Sequence, residues 1–262
     1  MKSIPEKIQD IKSHGYVLDF SNVFELAFEN YKKIAVYAGL ILLVFSIFFG
    51  AIIYLILAST LGIEQLTNEN LLKFNPLNLS PVHLVYYILA NVFISALFSP
   101  FGAGFLKMAD CAQKDQEFKV ATIFTYYKTH HFLQLFTATF FISVISIVGG
   151  LLLQYLKLDL LSMVLSLSIS FFTFLTVPLI VFGNLKAFTA IKSSLIIISK
   201  QPLVFLALMM TIIGGILIGL MAICIGLLFT IPFTYSMTYA IYCTIFNIDK
   251  EDPIDSIGQS DF

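Results

Sequence analysis

The chain has 262 residues, 58% hydrophobic and 12% charged, with a mean hydropathy of +0.91 and a formal net charge of −1. A soluble domain carries roughly 25% charged residues, and no water-soluble fold hides this much apolar surface, so lipid must solvate most of the chain. The near-neutral balance excludes the basic field of a nucleic-acid-binding protein. All fifteen basic residues are lysine, and Trp is absent. Any aromatic belt therefore uses Tyr, and the Lys-, Ile-, Phe- and Asn-rich usage fits an AT-rich bacterial genome.

Residues 1–18 form a polar N-terminal segment. Residues 1–33 carry five lysines and five acids ahead of any long apolar stretch, which is not the layout of a cleavable signal peptide. The first apolar run is therefore expected to stay as a membrane anchor. Charge-free stretches follow at Ile34–Ile63, Val82–Leu106, Phe132–Leu156, Leu160–Leu185 and Leu203–Asn247. Each of the first four supplies one crossing of about 20 residues. The 44 residues Leu203–Phe246 would make about 66 Å of helix at 1.5 Å per residue, enough for two crossings, with the turn expected near Gly219–Gly226. The reading is an all-α membrane domain over 19–247. Its six transmembrane helices lie at about 34–60, 82–106, 132–156, 160–184, 203–221 and 224–246, and an acidic disordered tail follows over 248–262.

Lysine placement sets the orientation. Thirteen lysines fall on one side of this topology and two, Lys73 and Lys157, on the other. The bias predicts cytoplasmic termini in a bacterial inner membrane and requires an even number of spans. Three segments ahead of the hairpins have an amphipathic period: Phe20, Val23, Phe24, Ala27, Phe28 and Tyr31; then Val120, Ile123, Phe124 and Tyr127; then Phe188, Ile191, Leu195 and Ile198. Such helices lie in the membrane interface. With Pro100, Pro178 and Pro232 in successive second spans, they suggest three repeats of interfacial amphipathic helix plus transmembrane hairpin. The alternative is the plain alternation of loops and spans that any hairpin bundle shows.

Small or polar residues recur every four positions in several spans. They are Asn91, Ser95 and Ser99; Ser162, Ser166 and Ser170; Thr211, Gly215 and Gly219; and Thr230, Thr234 and Thr238. That spacing keeps them on one helix face, where they read as helix-packing stripes or, alternatively, as a polar pathway. No predicted span holds Asp, Glu, Lys or Arg in its interior, whereas ion-coupled transport generally uses such a residue. The adjacent His130 and His131 read as an interfacial anchor. Cys111 falls in a polar loop, and Cys224 and Cys243 act as small hydrophobes. Asp110, Asp115 and Glu117 with Lys107, Lys114 and Lys119 read as a solvated mixed-charge turn. No catalytic motif, metal-ligand spacing or cofactor fingerprint is present.

The order of amphipathic helix and hairpin, closed by Gly226-Leu-Leu-Phe-Thr-Ile-Pro232 and then Tyr235, Tyr239 and Tyr242, resembles two groups of bacterial membrane proteins. These are the YciC-type inner-membrane proteins and the membrane region of some glycerophosphodiester phosphodiesterases. The latter keep their chemistry on a separate soluble domain, so the resemblance implies no catalytic residue here. The expected function is a non-enzymatic membrane-embedded binding module: an accessory or scaffold subunit, or an assembly factor. The alternative is a transporter or handler of lipids or other hydrophobic molecules. No cofactor is expected. The expected partners are the lipid bilayer and another membrane protein docked on the cytoplasmic amphipathic helices.

Overall fold

The computed structural model describes residues 2–61, 75–221 and 225–248, which are helical and contain no strand. Helix α1 spans Ile4–His14, α2 Phe20–Leu61, α3 Pro81–Gln113, α4 Val120–Ile123 and α5 His131–Tyr155. Then come α6 Asp159–Phe172, α7 Thr176–Val181, α8 Ala187–Lys200, α9 Pro202–Met221 and α10 Ile225–Phe246. Five segments are long and apolar enough to cross a membrane: Phe20–Leu55, Pro81–Gln113, His131–Tyr155, Asp159–Val181 and Pro202–Met221. The protein is thus an all-α, multi-pass membrane protein.

Local chemistry sets several boundaries. The Ser3 amide donates to the Glu6 carboxylate at 2.9 Å, half of a capping box, and α1 stops at Gly15, whose φ of 75° suits glycine. Helix α3 starts from Ser80, which accepts the His83 amide, with Pro81 as its first residue.

Helix α10 organises the packing. It lies along α2 and also touches α9, α3 and α7. Tyr239, Tyr242 and Phe246 of α10 are buried with Phe105 of α3 and Leu179 of α7. Helix α3 packs on α5 and α5 on α6, while α8 lies between α7 and α1. The α4 turn rests directly on α3 at Gly104, where a Cβ would stand 2.1 Å from the Ile123 carbonyl oxygen.

The three predicted interfacial helices take three different forms. Residues 20–33 are not a separate helix but the first part of α2. No Gly, Pro or capping residue interrupts Tyr31–Lys33, so the helix runs through. Its 42 residues make about 63 Å, roughly twice the hydrocarbon core, so it extends beyond that core. Val23 and Ala27 of the first stripe are buried, while Phe20, Phe24 and Phe28 stack outward in a row. The second segment is one helical turn followed by a 3-10 turn over Thr125–Tyr127. The third is a separate helix, α8, but it buries Ala187, Ala190, Ser194, Ile197 and Ile198, leaving Phe188 and Leu195 exposed. Small residues face inward there because α8 is pressed between two neighbours.

Two other boundaries differ from the sequence reading. Helix α3 continues seven residues past 106, and the fourth span is broken at Thr173–Leu175 between α6 and α7. Helix α9 ends at Met221 and α10 starts at Ile225. Cys224 and nearly all of the predicted tail, 249–262, lie outside the described residues.

Candidate functional site

Polar groups gather where α3 and α10 end. The Asp110 side chain is 3% exposed. Its Oδ1 accepts the Tyr239 hydroxyl at 2.7 Å and the Lys114 ammonium at 2.7 Å, and its Oδ2 accepts Lys107 Nζ at 2.5 Å. This corrects the solvated-turn reading for Asp110 and for Cys111, which is buried in a helix rather than in a loop; Lys114, Asp115, Glu117 and Lys119 are exposed. Beside this cluster, Asn30 Nδ2 donates to Gln113 Oε1 at 2.6 Å. Lys33 donates to the Ala112 carbonyl and to Asp115. Lys7 donates to the Phe246 carbonyl at the end of α10, a common way to satisfy a helix C-terminus. The Tyr16 hydroxyl donates to the Ile197 carbonyl at 3.0 Å, and Gln201 Nε2 donates to the Tyr16 carbonyl. Burial pushes the Tyr16 and Tyr126 phenols up, which keeps both neutral. Both oxygens of the Asp110 carboxylate are engaged within the protein. Its place is to hold α3 against α10.

A different environment surrounds α6. A groove of about 330 Å³ runs between α5, α6 and α8, lined by Phe141, Ile145, Ile169, Phe172, Phe188 and Leu195 among others. A second cleft, about 380 Å³, separates α6 from α9 and shares Ser168 and Phe172 with the first. The break after α6 is satisfied from α8: Ser194 Oγ accepts the Leu175 amide at 3.2 Å and donates to the Phe172 carbonyl at 2.7 Å. A third, more polar niche of about 260 Å³ lies between α3, α5 and α6, with Tyr87, Ser146, Gln154, Ser162 and Ser166 in its wall.

The predicted stripe residues do not converge on one passage. Asn91 Nδ2 bonds the Tyr87 carbonyl of its own helix at 2.8 Å. Ser95 is exposed. Ser99 accepts Thr139 Oγ1 at 2.8 Å, joining α3 to α5. Ser162 is buried and donates to the Gly150 carbonyl at 3.1 Å. Ser166 shares its niche, and Ser170 is exposed. Thr211 bonds the Ala207 carbonyl. A Cβ on Gly215 would meet Phe233 at an ordinary 3.5 Å, whereas one on Gly219 would stand 2.3 Å from Thr230 Oγ1 and 3.1 Å from the Gly226 backbone. Thr230 and Thr238 bond the carbonyls of Leu227 and Thr234 on their own helix. His130 pairs with Asn184 at 2.9 Å. Among the described residues, no three of His, Cys, Asp and Glu gather as a metal site.

The Asp110 cluster was the site that sequence reasoning missed. Lys107, Asp110 and Lys114 stand at i, i+3 and i+7, the spacing of one helix face, which was the available signal. No protein-family model, curated protein or solved structure matches the chain.

Proposed function

We propose that the protein is a non-enzymatic binding module of the bacterial inner membrane, an accessory or scaffold subunit or an assembly factor. In this reading α10 is the sixth span, and both termini face the cytoplasm with the lysine-rich end. One observation carries the proposal. Asp110 is the single buried residue of the Asp, Glu, Lys and His type among the described residues, and both its oxygens are engaged by Lys107, Lys114 and Tyr239. A carboxylate tied up in this way holds helices together; it does not serve proton coupling or acid–base chemistry, which need a group free to exchange its proton.

The test is purification of the full chain from native membranes in mild detergent, followed by mass spectrometry of what stays bound. A stoichiometric membrane-protein partner supports the module. Substrate uptake by the isolated chain in proteoliposomes, driven by a proton or sodium gradient, overturns it. Reporter fusions after Lys114 and Lys192 are expected to read cytoplasmic, and one after Lys157 external. An external signal at Lys192 ends the six-span topology. The clefts beside α6 favour the second reading, handling of lipids or other hydrophobic molecules.

A further inference from the structure

We propose that the groove between α5, α6 and α8, together with a basic niche beside it, forms one site for an anionic phospholipid. The niche, about 410 Å³, is lined by Lys12 of α1 and by Leu195, Ile196, Ser199 and Lys200 of α8. Leu195 also lines the apolar groove, so the exposed lysines and the groove adjoin at one side chain. That is the layout of a lipid with a phosphate at one end and a hydrocarbon chain at the other.

Position and charge together mark these two lysines. Around them Lys2 pairs with Asp10, Lys32 with Glu29, Lys33 with Asp115, and Lys107 and Lys114 with Asp110. Lys12 and Lys200 take part in no ion pair among the described residues, as is also true of Lys7, Lys119, Lys128, Lys157, Lys186 and Lys192; of these, Lys12 and Lys200 are the two that line the niche. The acids of α1 are engaged elsewhere, Glu6 with the Ser3 amide and Asp10 with Lys2. Two uncompensated cations beside a hydroxyl attract an anion.

The groove selects the rest of the ligand. Its accessible lining is wholly apolar, and Phe188 and Leu195 stand exposed along it. An extended peptide laid there would bury backbone donors and acceptors with nothing to satisfy them, at a cost of several kcal/mol per group. An acyl chain carries no such groups. The second cleft meets the first at Ser168 and Phe172, which gives the lipid's second chain a place beside α9.

This inference goes beyond the module reading and does not depend on it, since scaffold and lipid handler alike can hold a lipid. It is tested on the full chain in detergent by native mass spectrometry, titrating dioleoyl phosphatidylglycerol against dioleoyl phosphatidylcholine. The wild type is expected to prefer phosphatidylglycerol by about fivefold per lysine, so roughly 25-fold in all. Lys12→Gln with Lys200→Gln should bring the preference close to one while retaining phosphatidylcholine binding. Ser168→Phe, which fills the groove, should weaken both lipids. Lys157→Gln, on the α5–α6 connection, should keep the wild-type preference. Thermal unfolding of each variant shows that it is folded. Equal binding of the two lipids by the wild type, or an undiminished preference in the double variant, overturns the proposal. So does displacement of the lipid by equimolar glycerol phosphate, which would make the niche a site for soluble anions.

Discussion

Between Ala103 and Gln113, α3 buries nine residues, one of them Asp110. Between Thr139 and Phe172, the α5–α6 hairpin buries two, Gly150 and Ser162. Leu106 in the first region is 2% exposed, while Leu160 in the second is 82% exposed. The two stretches use similar apolar residues but face different solvents. In the first, protein surrounds the helix, so a carboxylate can be accommodated because lysines and a tyrosine reach it. In the second, lipid must cover the side chains, and the helices come close where Gly150 faces Ser162. Stability should therefore respond to packing and polar changes in the first region, and to loss of small-residue contacts in the second.

The largest effect is expected at Gly104. A side chain there would run into the Ile123 backbone, with its carbonyl carbon 2.6 Å from the new Cβ. Backbone cannot rotate aside as a side chain can, so α4 must lift off α3. Gly104→Leu should cost more than about 3 kcal/mol, at the top of the range for overpacking. Thermal unfolding in detergent measures it, and a change within error would mean that α4 is not seated on α3.

Next in size is a pair on α10. Tyr239 and Tyr242 are both buried, at 2% and 1% exposure. The Tyr239 hydroxyl donates to Asp110, whereas the Tyr242 hydroxyl has no hydrogen-bond partner among the described residues. Tyr239→Phe removes a bond to a charged group and should cost about 1.5–3 kcal/mol. Tyr242→Phe removes only a buried, unsatisfied hydroxyl and should be neutral or stabilising. Equal effects of the two substitutions would show that the bond from Tyr239 to Asp110 does not hold α10 in place.

Much of the architecture was legible because hydropathy reports helix length directly. The runs 82–106 and 132–156 match helices within a few residues, apart from the C-terminal extension of α3. What hydropathy could not report was which neighbour would cover a given residue. Asp110 lies four residues beyond the predicted end of its span, so it read as solvated. Its burial depends on α10, more than a hundred residues away in sequence. The i, i+4 stripes were visible, but a period names a face without naming its partner. Thus Ser99 faces α5, while Ser95 faces outward.

The α9–α10 contact lies between the two regimes. A Cβ on Gly219 would press on Thr230 Oγ1, which can rotate, and on the Gly226 backbone, which cannot. Gly215 offers its Cβ an ordinary contact with Phe233. Gly219→Ala should cost about 1–3 kcal/mol, and Gly215→Ala should be near neutral, since alanine also favours the helix. The reverse order would place the close approach one turn nearer the start of α9.

The smallest expected difference is within the α6 serine stripe and tests whether small-residue contacts hold the lipid-facing hairpin. Ser162 and Ser170 share a period but not surroundings. Ser162 is buried, donates to the Gly150 carbonyl and sits 3.4 Å from Gln154 Nε2, whereas Ser170 is exposed. Ser162→Ala removes the hydroxyl from between two helices and should cost about 0.6 kcal/mol, the average for interhelical hydrogen bonds in a membrane, and at most about 1.7. Ser170→Ala should fall within about 0.5 kcal/mol of wild type. Ser162→Leu adds steric separation to the lost bond. It should exceed the alanine change if close approach is what joins α5 to α6, because the leucine would force apart backbones that meet at Gly150. The measurement is thermal unfolding in one detergent for all three variants. If Ser162→Leu is no worse than Ser170→Ala, the hairpin is held by its short connection and by α8, and the contrast with the Asp110 region would have to be drawn from the polar bonds alone.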